Sequence, residues 1–413
     1  LVALLAILPP YAGLSAGLDL LPTRILAPLR TYLFRNAVSN TGLLLVGVYA
    51  LALPIGVTWA ITGIPPRARP FLLLPVFMPG ALIGLLWRPL FAGWLDLANT
   101  QLSLGITGAV ILWRAVPLAA WLFSNDRDTW RRFIPVCALL ILLDGAIMLT
   151  LTRGEPFNAT HTWTSWLVQQ LWVSRAWGYA ASMGGALAVL LALLAWWTSL
   201  PRRAPIYIPH GSPLGLTILL LWILAPFAMP LFTFLQSPLL AINTLVELGA
   251  LRWLINGLFL WASATLLANG LAWDLRTRRA HLLARSLTLA LLPITIIALA
   301  YLTDALPLLR GLWLLTIITA LFTTGLIMGD AALPPVSIQR WRKAAGYAAL
   351  VIAATFPLQL VMQLPPHAWT PTLGILWTLT EALHATAALG AGLLLFGAWA
   401  GLGAWLLNVS QKK

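Results

Sequence analysis

At 413 residues, with 60% of them hydrophobic and only 9% charged, the chain is far poorer in charge than soluble domains, where about a quarter of residues are charged. That excludes an ordinary soluble enzyme or binding module and leaves a polytopic α-helical membrane protein. The absence of alternating strands of about ten residues excludes a β-barrel. A formal net charge of +14 fits Lys and Arg gathered in short cytoplasmic loops, since no basic block is interleaved with aromatics as in a nucleic-acid footprint. The 22 tryptophans suit interfacial belts, where an apolar ring with one polar N–H is well placed. Cys137 is the single cysteine; it excludes an intrachain disulfide and, lying in an apolar tract, reads as inert.

Apolar runs long enough to cross a roughly 30 Å hydrocarbon core recur along the whole length. The pattern predicts an all-α protein with about twelve spans in two six-helix halves. The spans are expected at 1–17, 42–63, 71–91, 106–123, 133–151, 176–199, 215–235, 254–273, 286–303, 311–329, 346–363 and 385–407. Basic residues gather at Arg67/Arg69, Arg127/Arg131/Arg132, Arg202/Arg203, Arg276/Arg278/Arg279/Arg285, Arg340/Arg342/Lys343 and Lys412/Lys413. These loops share one side, which holds about twice the Lys and Arg of the other and is therefore expected to be cytoplasmic. Arg24, Arg30 and Arg35 in 18–41 are the exception. The loop 201–214 divides the chain into a first half, 1–200, and a second, 215–413. In both, a helix beginning near an Asn (Asn40, Asn256) leads to a basic loop and then to a helix interrupted by Pro (Pro79, Pro293). One duplicated membrane unit is expected, a common transporter plan.

The most specific stretch is 144–199. After Asp144 it runs through LTLTRGEPFNATHTW, an amphipathic stretch and the apolar tract GYAASMGGALAVLLALLAWW. It resembles the last third of the sugar-type permease subunits of binding-protein-dependent ABC importers. Gly154, Pro156, Asn158, Ala159, Thr160 and Thr162 fall on that family's G-G-P-x-N-A-T-x-T. Gly178, Tyr179, Ala180 and Ala181 fall on its G-Y-A-A-A, while Asp144 stands two residues further from the threonines than in the family. YLFRNAVSNT (32–41) is similar to the F-x-N-x-x-x-N-T lead-in, FLLLPVFMPGALIGLLWRPLF (71–91) to the L-P-x-x-x-P-x-x-x-x-G-L-x-W helix, and ILWRAVP (111–117) to the W-x-x-x-P helix. The second half is loosely similar to the partner permease, so the chain resembles a fusion of two subunits.

The resemblance implies a bacterial or archaeal inner-membrane permease that does no covalent chemistry. Cytoplasmic ATPase subunits would drive it and an extracytoplasmic solute-binding protein would feed it a sugar-like or other polar solute. Outer loops 153–175 and 364–384 would dock that protein, with Gly154, Pro156, Asn158 and Thr160 as its candidates in the first. The family's cytoplasmic coupling helix, E-A-A-x-x-x-G, is absent between Trp113 and Asp144, where the connection shrinks to SNDRDTWRRF (124–133). Trp130 and Phe133 match the W-x-x-F that follows it. In the second half Asp330, Ala331 and Ala332 stand in its place, with Val336 where Gly belongs, and Pro334 and Pro335 disfavour a docking helix. This loss supports a second expectation, a permease-derived subunit that scaffolds other membrane-complex subunits without transporting.

Two charges fall inside expected spans, Arg114 and Asp144. Such groups by default face a cavity or a partner; alternatively the two pair, or Arg114 snorkels along its stem. With Pro79 and Asn256 they form the candidate substrate pathway. Glu381 and His384 could relay protons or bind a metal, but two ligands make a weak site and an interfacial hydrogen bond is favoured. His161, His210, His281 and His367 are scattered among loops. Gly270, Asp274, Arg278 and Arg279 resemble the G-x-x-x-D-x-x-x-R-R loop of major-facilitator transporters, a third expectation that the first half does not repeat. Without a P-loop, a nucleophile elbow or clustered carboxylates, no catalytic residue, metal or cofactor is expected. Membrane lipid is an expected partner and nucleic acid is not.

Overall fold

The computed structural model describes residues 31–65, 68–95, 99–123, 129–143, 145–156, 158–198, 212–274, 288, 292–293, 295–300, 303–304, 306–328, 338–354, 359–360, 362–381 and 386–409. Among them every regular element is a helix. In the first half these are α1 (Tyr32–Thr62), a 3-10 turn (Arg69–Leu73) leading into α2 (Leu74–Phe77), α3 (Gly80–Leu95), α4 (Thr100–Phe123), α5 (Thr129–Leu143), α6 (Gly145–Leu151), α7 (Trp163–Trp172) and α8 (Trp177–Thr198). The second half has α9 (Pro213–Leu224), α10 (Ala228–Gln236), α11 (Pro238–Glu247), α12 (Ala250–Asp274), α13 (Leu312–Met328), α14 (Ile338–Ala354), α15 (Pro371–Glu381) and α16 (Thr386–Val409).

Five helices among the described residues are long and apolar enough to cross a membrane: Tyr32–Ile61, Thr100–Phe123, Pro213–Gln236, Ala250–Ala272 and Ala388–Leu406. Two bent pairs raise this to seven if each is one span, Arg69–Phe77 with Gly80–Leu95 at 93° and Phe133–Leu142 with Gly145–Leu151 at 46°. The chain is thus a helical protein with several helices suited to a membrane. Twelve spans are not reached among these residues. The expected span 346–363 is described only in part: α14 starts earlier, at Ile338, taking in the basic QRWRK segment, and is described to Ala354. Asn40 and Asn256 lie inside their helices, not at the starts.

The same pairings occur twice. In the first half α1 packs on α4, α5 and α7, α4 on α5, and α8 on α5 and α7. In the second, α12 packs on α13, α14 and α15, α13 on α14, and α16 on α14 and α15. Glycines allow several close crossings, as small residues do between membrane helices. A side chain on Gly56 of α1 would run into Ala119 of α4, and one on Gly84 of α3 into Thr150 and the backbone of α6. The halves also meet reciprocally. The turn 69–73 and α2 pack on α16, with Phe77 against Gly403, while α8 meets the second half where Gly184 faces Ile297 and Pro293. Trp113 and Trp222 close the seam between α4 and α9, each indole N–H donating to the other's carbonyl at 2.8 and 3.3 Å.

Candidate functional site

An asparagine within each long helix grips the loop that leads into α7 or α15. Nδ2 of Asn40 donates to the carbonyls of Ala159 (2.7 Å) and His161 (2.9 Å). Nδ2 of Asn256 donates to those of His367 and Trp369, both at 2.9 Å. One amide NH₂ carries two donors and so can hold alternate carbonyls of one strand of backbone. In a membrane setting such carbonyls need an internal donor, because hydrocarbon offers none. Asn36 adds a second donor to Ala159 O (2.8 Å) in the first loop.

The first loop is held from within as well. Thr152 and Thr160 hydroxyls meet at 3.0 Å, and Thr160 Oγ1 donates to Glu155 O (2.8 Å). His161 is 1% exposed; its Nδ1 faces Ser165 Oγ at 3.1 Å and its Nε2 faces Asn158 Oδ1 at 3.3 Å. Burial pushes the imidazole down to about 4, so it is neutral at pH 7. Gly154 lies against this ring with φ +81°, and any side chain there would strike the imidazole. Thr162 then caps α7 in a reciprocal box with Ser165. Thr164 Oγ1 donates to Leu142 O beside the second helix break, close to Gly145, whose missing side chain admits the α7 backbone.

Of the outer-loop docking candidates, Gly154, Pro156 and Thr160 are buried, and only Asn158 is exposed. The G-x-P-x-N-A-T pattern therefore builds the loop; Arg153, Glu155 and Asn158 are what it presents outward.

Arg114 and Pro79 come together. Pro79 sits at the 93° break, and the guanidinium of Arg114, 6% exposed, is spent on the carbonyls there. Nε donates to Pro75 O (2.9 Å), and Nη2 to Val76 O (2.9 Å) and Met78 O (3.2 Å). The break frees these carbonyls, and the fork of guanidinium donors gathers them. Asn256 belongs to the loop clamp and lies apart from this pair in the second half. Asp144 lies outside the described residues, as do Asp330, Ala331 and Ala332, His384, Arg278 and Arg279. Trp130 is in α5. Phe133, expected beside a cytoplasmic docking segment, is fully buried and stacked on Tyr49 at 5.6 Å. Glu381 ends α15.

Sequence reasoning missed His161, Ser165 and Asn36 as loop-builders. Their signal was a polar residue within reach of a turn flanked by apolar spans; Asn40 and Asn256 stood out only as a repeated Asn near a helix start, not as clamps. Among the described residues no group of three or more His, Cys, Asp and Glu is placed to hold a metal. Comparison with protein-family models, curated proteins and solved structures finds no match to this chain.

Proposed function

We propose that the chain is the membrane-spanning permease component of a binding-protein-dependent importer, carrying a sugar-like or other polar solute across a bacterial or archaeal inner membrane. On this reading the full complement is about twelve spans, six in each half. One observation carries it: a helix broken at Pro79, its free carbonyls gathered by Arg114, packs on α16 of the other, similarly built half. Discontinuous helices at the interface of repeated halves are where transporters place their solute path. Cytoplasmic ATPase subunits would supply the drive, and the exposed residues of 153–175 and 364–384 would meet a solute-binding protein.

A second reading, a permease-derived scaffold, is favoured by the sequence, in which 124–133 has no E-A-A-x-x-x-G docking segment; Phe133, from that stretch, packs in the core. Purification in mild detergent separates the two. An ATPase that co-purifies, with ATP-dependent uptake in proteoliposomes, supports the importer. A stable complex with neither overturns it in favour of the scaffold, and uptake driven by a proton or sodium gradient without ATP overturns both in favour of a secondary transporter.

A further inference from the structure

The second half contains an apolar cavity of about 280 Å³ between α12, α14, α15 and α16. An engineered core cavity of about 150 Å³ stays dry and binds benzene, so this one has room for more than a single ring. At the matching place in the first half stand two aromatic rings. Matching the clamps sets Ala250 against Phe34, Gly257 against Thr41 and Pro371 against Trp163. In the first half Phe34 and Trp163 pack edge to face at 5.6 Å, and the Trp163 indole spans to α8, donating to Met183 O at 3.2 Å. In the second half Ala250 and Pro371 line the open space. Two small residues stand where the first half has two large rings, within a similarly packed frame.

The mouth of the cavity identifies what can reach it. Leu254 and Leu258 on α12 and Leu395 and Leu402 on α16 line it and are themselves exposed. Both helices are among those suited to span a membrane, so the opening faces hydrocarbon and not water. One polar group points to more than a bare chain. Thr372 lines the cavity at 1% exposure, and its hydroxyl has no hydrogen-bond partner among the described residues. In the first half its counterpart Thr164 donates to Leu142 O. An empty cavity forfeits the dispersion contacts of its walls, and a buried hydroxyl left unpaired adds a desolvation cost.

We propose that this cavity is a lipid site holding one acyl chain of a membrane phospholipid, with the Thr372 hydroxyl donating to an ester oxygen of the same molecule. The inference rests on the membrane reading and not on transport, since a scaffold would hold the lipid equally well. The test uses the full chain in nanodiscs containing a phosphatidylglycerol with a diazirine on one acyl chain, and the photolabelled peptides are mapped. Label is expected on 250–258 and 392–402 as well as on the outward α9 residues Leu220 and Leu221. Ala250→Phe, which restores the first half's ring, is expected to cut labelling of 392–402 at least about tenfold and leave α9 unchanged. Thr372→Val keeps the volume, and is expected to shed bound phospholipid several-fold faster on detergent exchange followed by native mass spectrometry. Equal labelling of 392–402 with and without Ala250→Phe overturns the proposal, as does retention of detergent but no phospholipid by the unmodified chain. If Ala250→Phe fails to assemble, an unchanged rate of lipid loss in Thr372→Val overturns it. Failure to label α9 as well overturns the membrane reading itself.

Discussion

The loops gripped by Asn40 and Asn256 share one scaffold and differ in what fills it. Where the first half has Thr41 accepting from the Trp163 N–H at 2.9 Å, the second has Gly257 against Pro371. Acceptor and donor are absent together, so neither leaves a buried orphan, and lacking both partners of a hydrogen bond is far cheaper than lacking one. A second exchange concerns size. Ala37 and Trp166 are both buried in the first half; their counterparts are Trp253 and Gly374, with the indole lying where a Gly374 side chain would be. Both loops have the clamp because backbone carbonyls in an apolar setting must have a donor. The filling differs because volume can be supplied from either side.

The largest break in this comparison is expected at Arg114, for which α13, the second half's partner of the clamp helix, offers four buried threonines and no arginine. Arg114→Leu strips donors from three carbonyls, each costing about 1–3 kcal/mol when left buried and unpaired. A loss of about 3–9 kcal/mol is expected, read as a fall in the thermal unfolding midpoint in detergent. A stability equal to the parent's would show that the break has other donors.

Asn40→Leu comes next. Ala159 O keeps Asn36, so the cost falls on His161 O, about 1–3 kcal/mol, plus the repacking of a fully buried site. Asn256→Leu should cost less, because that clamp is partly exposed. Amide hydrogen exchange of 158–163 and 366–370 reads each loop separately, and the reverse order would break the equivalence of the two.

His161 introduces an acid sensitivity that its counterpart Trp369 cannot share. Its folded value of about 4 lies below the ordinary 6.5, so the unfolded loop binds the proton first. Its contribution is therefore fully present above about pH 6.5 and is lost as pH falls through about 4. At about 1.4 kcal/mol per unit, the loss reaches about 3 kcal/mol. Proteolysis within 153–162 should rise over that window, and His161→Gln should flatten the rise.

The smallest effect sharpens the size exchange. Gly374→Ala places a methyl against the Trp253 indole and should cost about 1–3 kcal/mol by overpacking. In the Trp253→Ala background the same change should cost almost nothing, a coupling measurable by a double-mutant cycle.

Much of this was legible from residue order. Apolar run lengths establish an all-helical chain suited to a membrane, Pro79 marks a break, Gly154 to Thr162 marks a tight loop, and Asn40 and Asn256 already stand out as matched positions. Each of these is a local property: a run long enough to span, a ring that removes an N–H, a glycine tolerating positive φ, a polar group in an apolar run. The partners were settled only by the tertiary structure. It decided that Arg114 serves backbone carbonyls, that Phe133 faces inward, that the asparagines hold loops far along the chain, and that one half has a cavity where the other has rings. The reason is physical. In a soluble helix the contrast between core and water writes the facing direction into the sequence. Lipid tails are as apolar as a protein interior, so an apolar helix leaves its inner face, and hence its partners, to be decided by packing.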